Sequence, residues 1–178
     1  MLHRLNIFAL ISVFLIPANW SAQARPFTSY ISEFRAGGFV HDVESIDKND
    51  VDLNLEILLQ PLRHREGHKV LEFFLSPRPH LGTTINFAGD TSEAYLGLTW
   101  DIPLGETLFM ELSFGGAVHD GKLKDYGCRA SFRESASLGI NLSENWRLVG
   151  TIDHMSNASL CSENGGLTNA GLRLGYRF

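Results

Sequence analysis

A histidine and a serine two positions apart, His154 and Ser156, are the residues whose types and spacing could carry out chemistry. On a β-strand, residues i and i+2 point to the same face with Cα atoms about 6–7 Å apart, within reach of a side-chain hydrogen bond. The imidazole can then take the proton of the serine hydroxyl, whose oxygen attacks an ester. The pair therefore predicts acyl transfer, with Ser156 as the nucleophile and His154 as the general base.

The elements that must position this pair are strands, because apolar and polar residues alternate along most of the chain. The segment "VDLNLEILLQ", residues 51–60, is one example. Alternation over about ten residues indicates a β-strand. The connection at 61–78 is long and partly apolar, and its pattern assigns it to no element. We predict eight strands, at residues 31–42, 50–60, 79–88, 93–103, 107–117, 129–142, 146–157 and 167–178.

Eight strands of this length suit a soluble lipocalin-like barrel with its apolar face inward, or an outer-membrane barrel with its apolar face toward lipid. Short turns that alternate with longer loops favour the membrane barrel, as does an alternating last strand that ends on the aromatic Phe178. We therefore predict an all-β fold, an eight-stranded antiparallel transmembrane β-barrel in the bacterial outer membrane. Its charged inner face would hold Asp52, Glu56, Glu93, Asp101, Glu111 and Arg133.

Residues 1–24 have the layout of a secretory signal peptide, with a basic start, an apolar run and a small-x-small pattern that ends at Ala24. The apolar run is shorter than the roughly 20 residues of a spanning helix, so cleavage is favoured over an N-terminal anchor. The barrel would then comprise residues 25–178. That segment carries 14 Lys and Arg against 20 Asp and Glu, without a basic cluster, so we expect no nucleic-acid partner.

Strand parity places the candidate pair on the lipid-facing side of the barrel. Leu148 and Ile152 share the even positions of the seventh strand with His154 and Ser156. Because the chain would enter from the periplasm and ascend on odd-numbered strands, the pair lies near the extracellular end. Polar groups that face lipid are costly, which favours a functional role. Polar residues just above the lipid boundary are the alternative.

A short turn centred near Glu144 sets the register of the sixth and seventh strands. In that register Glu134 lies opposite His154, and directly opposite residues have Cβ atoms about 4.5–5.5 Å apart. Glu134 would fix the tautomer of the imidazole and stabilise the imidazolium. Asn157 or nearby loop amides would supply an oxyanion hole.

The same register brings Cys128 close to Cys161. Two cysteines in an oxidising compartment favour one disulfide over a metal site. The segment "HREGH", with His64, Glu66 and His68, lacks the H-E-x-x-H spacing, so we expect no metal there.

The stretch "HMSNASLCSENGGLTNAGLRLGYRF", with "SFRESASLGINL" before it, resembles the outer-membrane lipid A 3-O-deacylases of the PagL type. The family's H-x-S-N-A core is matched by His154, Ser156, Asn157 and Ala158, and the resemblance covers residues 129–178 well. It implies an esterase without cofactors that removes the 3-O-linked hydroxyacyl chain of lipid A, the lipid of lipopolysaccharide in the outer leaflet. It leaves the oligomeric state open, a homodimer included.

One position departs from the family pattern, which places the acid of the triad fourteen residues after the histidine. Here that residue is Thr168, which has no carboxylate. Glu134, or a loop acid such as Glu163, would have to replace it; otherwise the chain is a weak or inactive barrel with a structural or lipid-binding role. We expect Glu134 to act, so that Glu134→Gln cripples activity and Thr168→Val is tolerated.

Overall fold

The computed structural model contains eight antiparallel strands that close into one barrel in chain order. It describes residues 27–44, 50–62, 69–121 and 128–178. A short 3-10 helix, Phe27–Tyr30, leads into the first strand. The strands are β1 Ile31–Val40, β2 Val51–Leu59, β3 Arg78–Asn86, β4 Glu93–Pro103, β5 Leu108–His119, β6 Ala130–Asn141, β7 Trp146–Ser156 and β8 Leu167–Arg177.

All eight predicted strands form, with ends within two residues of the predicted ones. The connection that the pattern did not assign contains one short helix, α1, at Lys69–Leu75. This helix ends two residues before Pro77, whose ring cannot continue it. Trp100 Nε1 donates to Phe74 O at 3.4 Å, so α1 lies against the outer wall of β4.

Side chains alternate between the lumen and the outer wall of the barrel. In β2, Asp52, Asn54 and Glu56 are buried, whereas Val51 and Leu53 are exposed. The polar face therefore lines the interior and the apolar face covers the outside. This confirms the predicted orientation of the two faces and is the reverse of a soluble barrel.

The lumen is filled by buried charges that neutralise one another. Arg35, in β1, contacts Glu33 and Glu111 at 2.7 Å, and all three side chains are almost completely buried. Buried charges are stable only when they are paired in this way. The interior is thus a polar core that holds the strands together. Other buried ion pairs join Arg78 and Arg147 to Glu33, Arg133 to Asp153, and Arg173 to Glu56.

No helix in the described ranges is long and apolar enough to cross a membrane. The predicted signal peptide, residues 1–24, and the "HREGH" residues His64, Glu66 and His68 lie outside the described residues.

Candidate active site

Strand β7 carries both members of the candidate pair near its C-terminal end. Asp153 and Met155 point into the lumen and are buried, whereas Ile152 points outward and is exposed. His154 and Ser156 share the outward face and are half-buried. The structure therefore places the imidazole and the hydroxyl together on the outer wall, where strand parity predicts them. No hydrogen bond joins the Ser156 hydroxyl to a residue in the described part of the chain.

The pairing of β6 with β7 follows the predicted register. Ile140 lies opposite Leu148, and Glu134 lies opposite His154. The Glu134 side chain is exposed on the outer wall. Within the described ranges, however, no hydrogen bond or ion pair joins its carboxylate to His154. The register alone therefore does not give the imidazole its partner.

The imidazole is held from the other flank, by β8. His154 lies opposite Thr168, and its Nδ1 is 2.8 Å from Thr168 Oγ1. The Thr168 hydroxyl in turn donates to Glu44 Oε1 at 2.7 Å. A hydroxyl has a single proton, so Thr168 Oγ1 must accept from Nδ1–H while it donates to Glu44. In a neutral ring this tautomer leaves Nε2 unprotonated and able to accept a proton.

Glu44 was not among the residues that sequence reasoning selected. It lies in the loop after β1, which is fixed to β8 through two backbone donors. Val43 N donates to Thr168 O at 2.8 Å, and Asp42 N donates to Asn169 Oδ1 at 3.1 Å. Asp42 has a φ of 48°, which bends the chain out of β1. These contacts bring the Glu44 carboxylate to a strand that is 124 residues away in sequence.

Gly166 leaves the space that the imidazole occupies. A Cβ atom at this position would lie 2.5 Å from His154 Cε1 and 3.1 Å from Nε2. The first distance is far shorter than the carbon contacts found in closely packed interiors, so a side chain here would displace the ring. Thr168 and Gly166 thus position the imidazole, Thr168 by its hydroxyl and Gly166 by its lack of a side chain.

Immediately after Ser156 the chain makes a tight turn. Ala158 and Ser159 have φ values of 51° and 61°, and Leu160 N donates to Asn157 O at 3.0 Å. Two successive positive φ values with this hydrogen bond indicate a type I′ turn. Neither central residue is glycine, so the turn holds an unfavourable backbone conformation beside the serine.

Asn157 holds the loop that follows this turn. Its side chain is buried, its backbone N donates to Asn164 Oδ1 at 3.0 Å, and its Nδ2 donates to Glu163 O at 2.5 Å. The backbone amide of Asn157 is therefore engaged within the loop. The Glu163 side chain is exposed and makes no hydrogen bond to His154 in the described part of the chain.

Cys128 and Cys161 are joined by a disulfide across 33 residues of sequence. Cys128 precedes β6, and Cys161 lies in the loop after β7. The disulfide thus connects the two loops beside the end of β7 that carries Ser156. The structure contains the pairing that the register predicts.

An apolar groove runs along the outer wall from the imidazole. Its first part, of about 510 Å³, is lined by His154, Thr168, Glu44 and Glu134 together with apolar side chains. Its second part, of about 720 Å³, shares Ala136 and Ile152 with the first. This second part has room because some of its lining residues, such as Ala136, Gly150, Ala170 and Gly171, are small and leave space between longer side chains. The second part is lined by Met110, Ala136, Leu138, Gly150, Ile152, Ala170, Gly171 and Leu172, among others.

The described ranges contain no group of three or more His, Cys, Asp or Glu side chains placed to hold a metal ion. The groups at the site that can take part in chemistry include the Ser156 hydroxyl, the His154 imidazole and the carboxylates around them. A general base that points toward lipid next to a serine suits the hydrolysis of a lipid ester.

A model of the lipid A 3-O-deacylase (PagL) family matches residues 79–177, from β3 to β8. The matched segment contains His154, Ser156, Glu134 and Thr168, whereas Glu44 lies before it. No functionally curated protein is similar to the chain at a significant level.

Solved structures with the same fold include several outer-membrane proteins. The outer membrane enzyme PagL has a TM-score of 0.65 and 14% identity, covering 83% of this chain and 100% of that one. The N-terminal β-barrel domain of Pseudomonas aeruginosa OprF has a TM-score of 0.56 and 16% identity, covering 84% and 98%. Yersinia pestis Ail, in a phospholipid nanodisc, has a TM-score of 0.51 and 15% identity, covering 84% and 99%. These likenesses confirm the predicted outer-membrane type of barrel.

Proposed function

This chain belongs to the lipid A 3-O-deacylase (PagL) family, and we propose that it is a serine esterase of the bacterial outer membrane that hydrolyses the 3-O-linked hydroxyacyl chain of lipid A. The observation that carries the proposal is the position of His154 and Ser156 together on the outer wall of the barrel. A site that opens toward lipid suits a lipid substrate, which reaches it from within the bilayer.

The proposed reaction starts with attack by the Ser156 hydroxyl on the acyl carbonyl carbon, while His154 Nε2 accepts the hydroxyl proton. The tetrahedral intermediate collapses as Nε2–H returns the proton to the oxygen of lipid A that leaves. Water then attacks the acyl-serine, with Nε2 again as the base, and releases the hydroxy fatty acid. The Ser156–His154 contact forms on substrate binding, since such contacts are often long without substrate.

Glu134 and Asn157 support this reaction in our proposal. Glu134 faces His154 across the β6–β7 pair, where a carboxylate stabilises the imidazolium through its charge. Asn157 holds the turn after Ser156. Because Asn157 N and Leu160 N already donate within the loop, the amides of Ala158 and Ser159 would donate to the developing oxyanion. Glu134 and Asn157 act on charge, whereas His154 and Ser156 carry out the proton transfer and the attack.

The apolar groove is the proposed binding site of the acyl chain. It begins at His154 and continues along the wall past Ala136 and Ile152, so a chain bound there has its carbonyl end at the imidazole. Gly150 and Ala170 provide room for methylene groups that longer side chains would fill. Removing such groups from contact with other lipids costs little, because the second part of the groove is lined mainly by apolar side chains.

Mass spectrometry of lipid A from cells that express the protein tests the proposal. We expect loss of one 3-hydroxyacyl group with the wild-type chain and none with Ser156→Ala. Unchanged lipid A in both cases favours the alternative, a barrel of the same fold with a structural or lipid-binding role. The folded state of both proteins is checked by their migration in unheated gels, which distinguishes closed barrels from unfolded chains.

We also propose that residues 1–24 direct export and are removed. The mass of the protein isolated from outer membranes gives its N-terminus, and cleavage after Ala24 is the expected result. Retention of the leader would contradict this proposal without affecting the esterase.

A further inference from the structure

We infer that Glu44 is the carboxylate that positions the general base, and that it acts on His154 through the hydroxyl of Thr168. The inference rests on the proposed esterase function and assigns a residue to it that lies outside the segment matched by the family model. Two consecutive hydrogen bonds, of 2.8 and 2.7 Å, connect His154 Nδ1, Thr168 Oγ1 and Glu44 Oε1.

The direction of these hydrogen bonds decides which imidazole nitrogen is the base. A threonine hydroxyl without a second partner can either accept from Nδ1–H or donate to unprotonated Nδ1. If it donates, the ring proton moves to Nε2 and the base is blocked. A carboxylate only accepts, so the Thr168 hydroxyl donates its hydrogen bond to Glu44 and Thr168 Oγ1 accepts from Nδ1–H. Glu44 thereby keeps Nε2 free.

The charge of Glu44 also matches the charge that appears during the reaction. When Nε2 accepts the serine proton, the imidazole becomes positive, and Thr168 alone carries no charge to offset it. Glu44 lines the same groove as His154, and the Thr168 hydroxyl between them holds its carboxylate near the ring. Through the Thr168 hydroxyl, the Glu44 carboxylate both orients the imidazole and lies close enough to offset its positive charge.

The loop that carries Glu44 is built to hold this position. Its backbone is anchored to β8 by Val43, at Thr168 O itself, and by Asp42, at the neighbouring Asn169. The loop that carries Glu44 is thus joined to β8 by backbone hydrogen bonds as well as by the hydrogen bond between the Thr168 and Glu44 side chains. Glu134 and Glu163 lack such a connection to the ring among the described residues.

Four variants test the inference in purified protein with lipid A in mixed micelles. Glu44→Ala removes the acceptor, Glu44→Gln keeps an acceptor oxygen without charge, and Thr168→Val removes the hydroxyl. We expect kcat to fall by about 100-fold or more for Glu44→Ala and Thr168→Val, and by less for Glu44→Gln, with KM unchanged. The double variant Thr168→Glu with Glu44→Ala places a carboxylate directly beside Nδ1, so we expect it to recover most of the lost kcat.

A merely structural role for Glu44 would not change the tautomer of the ring. Nitrogen-15 NMR of labelled histidine, assigned with a His154→Asn variant, should show the Nδ1–H form in the wild type at a pH where the ring is neutral. We expect a substantial Nε2–H fraction in Glu44→Ala, and the Nδ1–H form in the matched control Glu163→Gln.

The outcomes separate this inference from the proposed function. If the wild type is active, Ser156→Ala is inactive, and Glu44→Ala retains full kcat and the Nδ1–H tautomer, the inference is overturned and the esterase stands. If the wild type is as inactive as Ser156→Ala, the proposed function fails, and the tautomer in Glu44→Ala still decides whether Glu44 orients the ring.

Discussion

Glu134 and His154 face each other across β6 and β7, yet the imidazole makes its hydrogen bond to Thr168 on the opposite flank. Two carboxylates therefore border the ring in different ways. Glu44 is connected to Nδ1 through a hydroxyl, whereas Glu134 lies opposite the ring without a hydrogen bond to it in the described part of the chain. In our proposal Glu44 therefore both orients the ring and offsets its charge, whereas Glu134 acts through its charge alone, and this difference changes what substitutions should do.

Glu134→Gln should reduce activity only modestly. An exposed charge pair contributes about 1 kcal/mol or less, which corresponds to about a fivefold loss in kcat/KM. The strand register alone predicted that Glu134→Gln abolishes most of the activity and that Thr168→Val is tolerated. Steady-state kinetics on lipid A, with Thr168→Val measured in parallel, distinguish the two expectations. A loss for Glu134→Gln that exceeds the loss for Thr168→Val would restore Glu134 as the main acid.

Gly166→Ala should lower kcat by about 10-fold or more while the barrel stays folded, because the added Cβ would occupy the space of His154 Cε1. The matched control is Gly116→Ala on the outer wall of β5. Among the described residues, the atom nearest to a Cβ there is Ser131 O, at 3.8 Å, so we expect wild-type activity. Equal kinetics for the two variants would show that the ring has room to move.

Gly150→Phe should block the groove for long acyl chains. The expected loss in kcat/KM is at least 10-fold for lipid A but small for a short-chain ester, because only the long chain passes position 150. Gly150→Ala serves as the control, since its Cβ would meet Leu172 Cδ2 at 3.4 Å, an ordinary contact. An equal loss on both substrates would mean that the acyl chain binds elsewhere.

Replacing Cys128 and Cys161 by serine should destabilise the loops beside the site. A disulfide that spans 33 residues stabilises a folded chain by about 4 kcal/mol in the loop-entropy account. We expect a lower urea midpoint for the double variant, measured on refolded barrels in detergent, and little change when reductant is added to it. A wild-type midpoint that is insensitive to reductant would contradict this expectation.

The strands and the register of β6 with β7 could be predicted because both depend on residues that are close together in the sequence. Alternation reveals a strand, and a four-residue turn such as the one around Glu144 fixes how its two strands align. That reasoning placed Glu134 opposite His154 and brought Cys128 near Cys161, as the structure does. The same reasoning assigned no element to α1, whose seven residues are too few to show a helical period.

Glu44 could not be predicted, and the reason is physical. Its contact with Thr168 joins the loop after β1 to β8, 124 residues away in sequence. The two come together only because β1 pairs with β8 to close the barrel. A local pattern carries no information about how a loop folds over the closed barrel. The absence of a carboxylate at position 168 was visible in the sequence, and it is the signal that a replacement had to be sought elsewhere in the chain.

The proposed catalytic pair, His154 and Ser156, faces the lipids of the surrounding leaflet. Substrate would arrive by lateral diffusion in two dimensions, so the rate would follow the mole fraction of the lipid in the leaflet, not its bulk concentration. The shortened lipid would remain in the same plane and compete with uncleaved molecules for the groove. The rate should therefore fall before the substrate is exhausted. Adding inert lipid at constant total substrate should also lower the rate, because it lowers the mole fraction of the substrate.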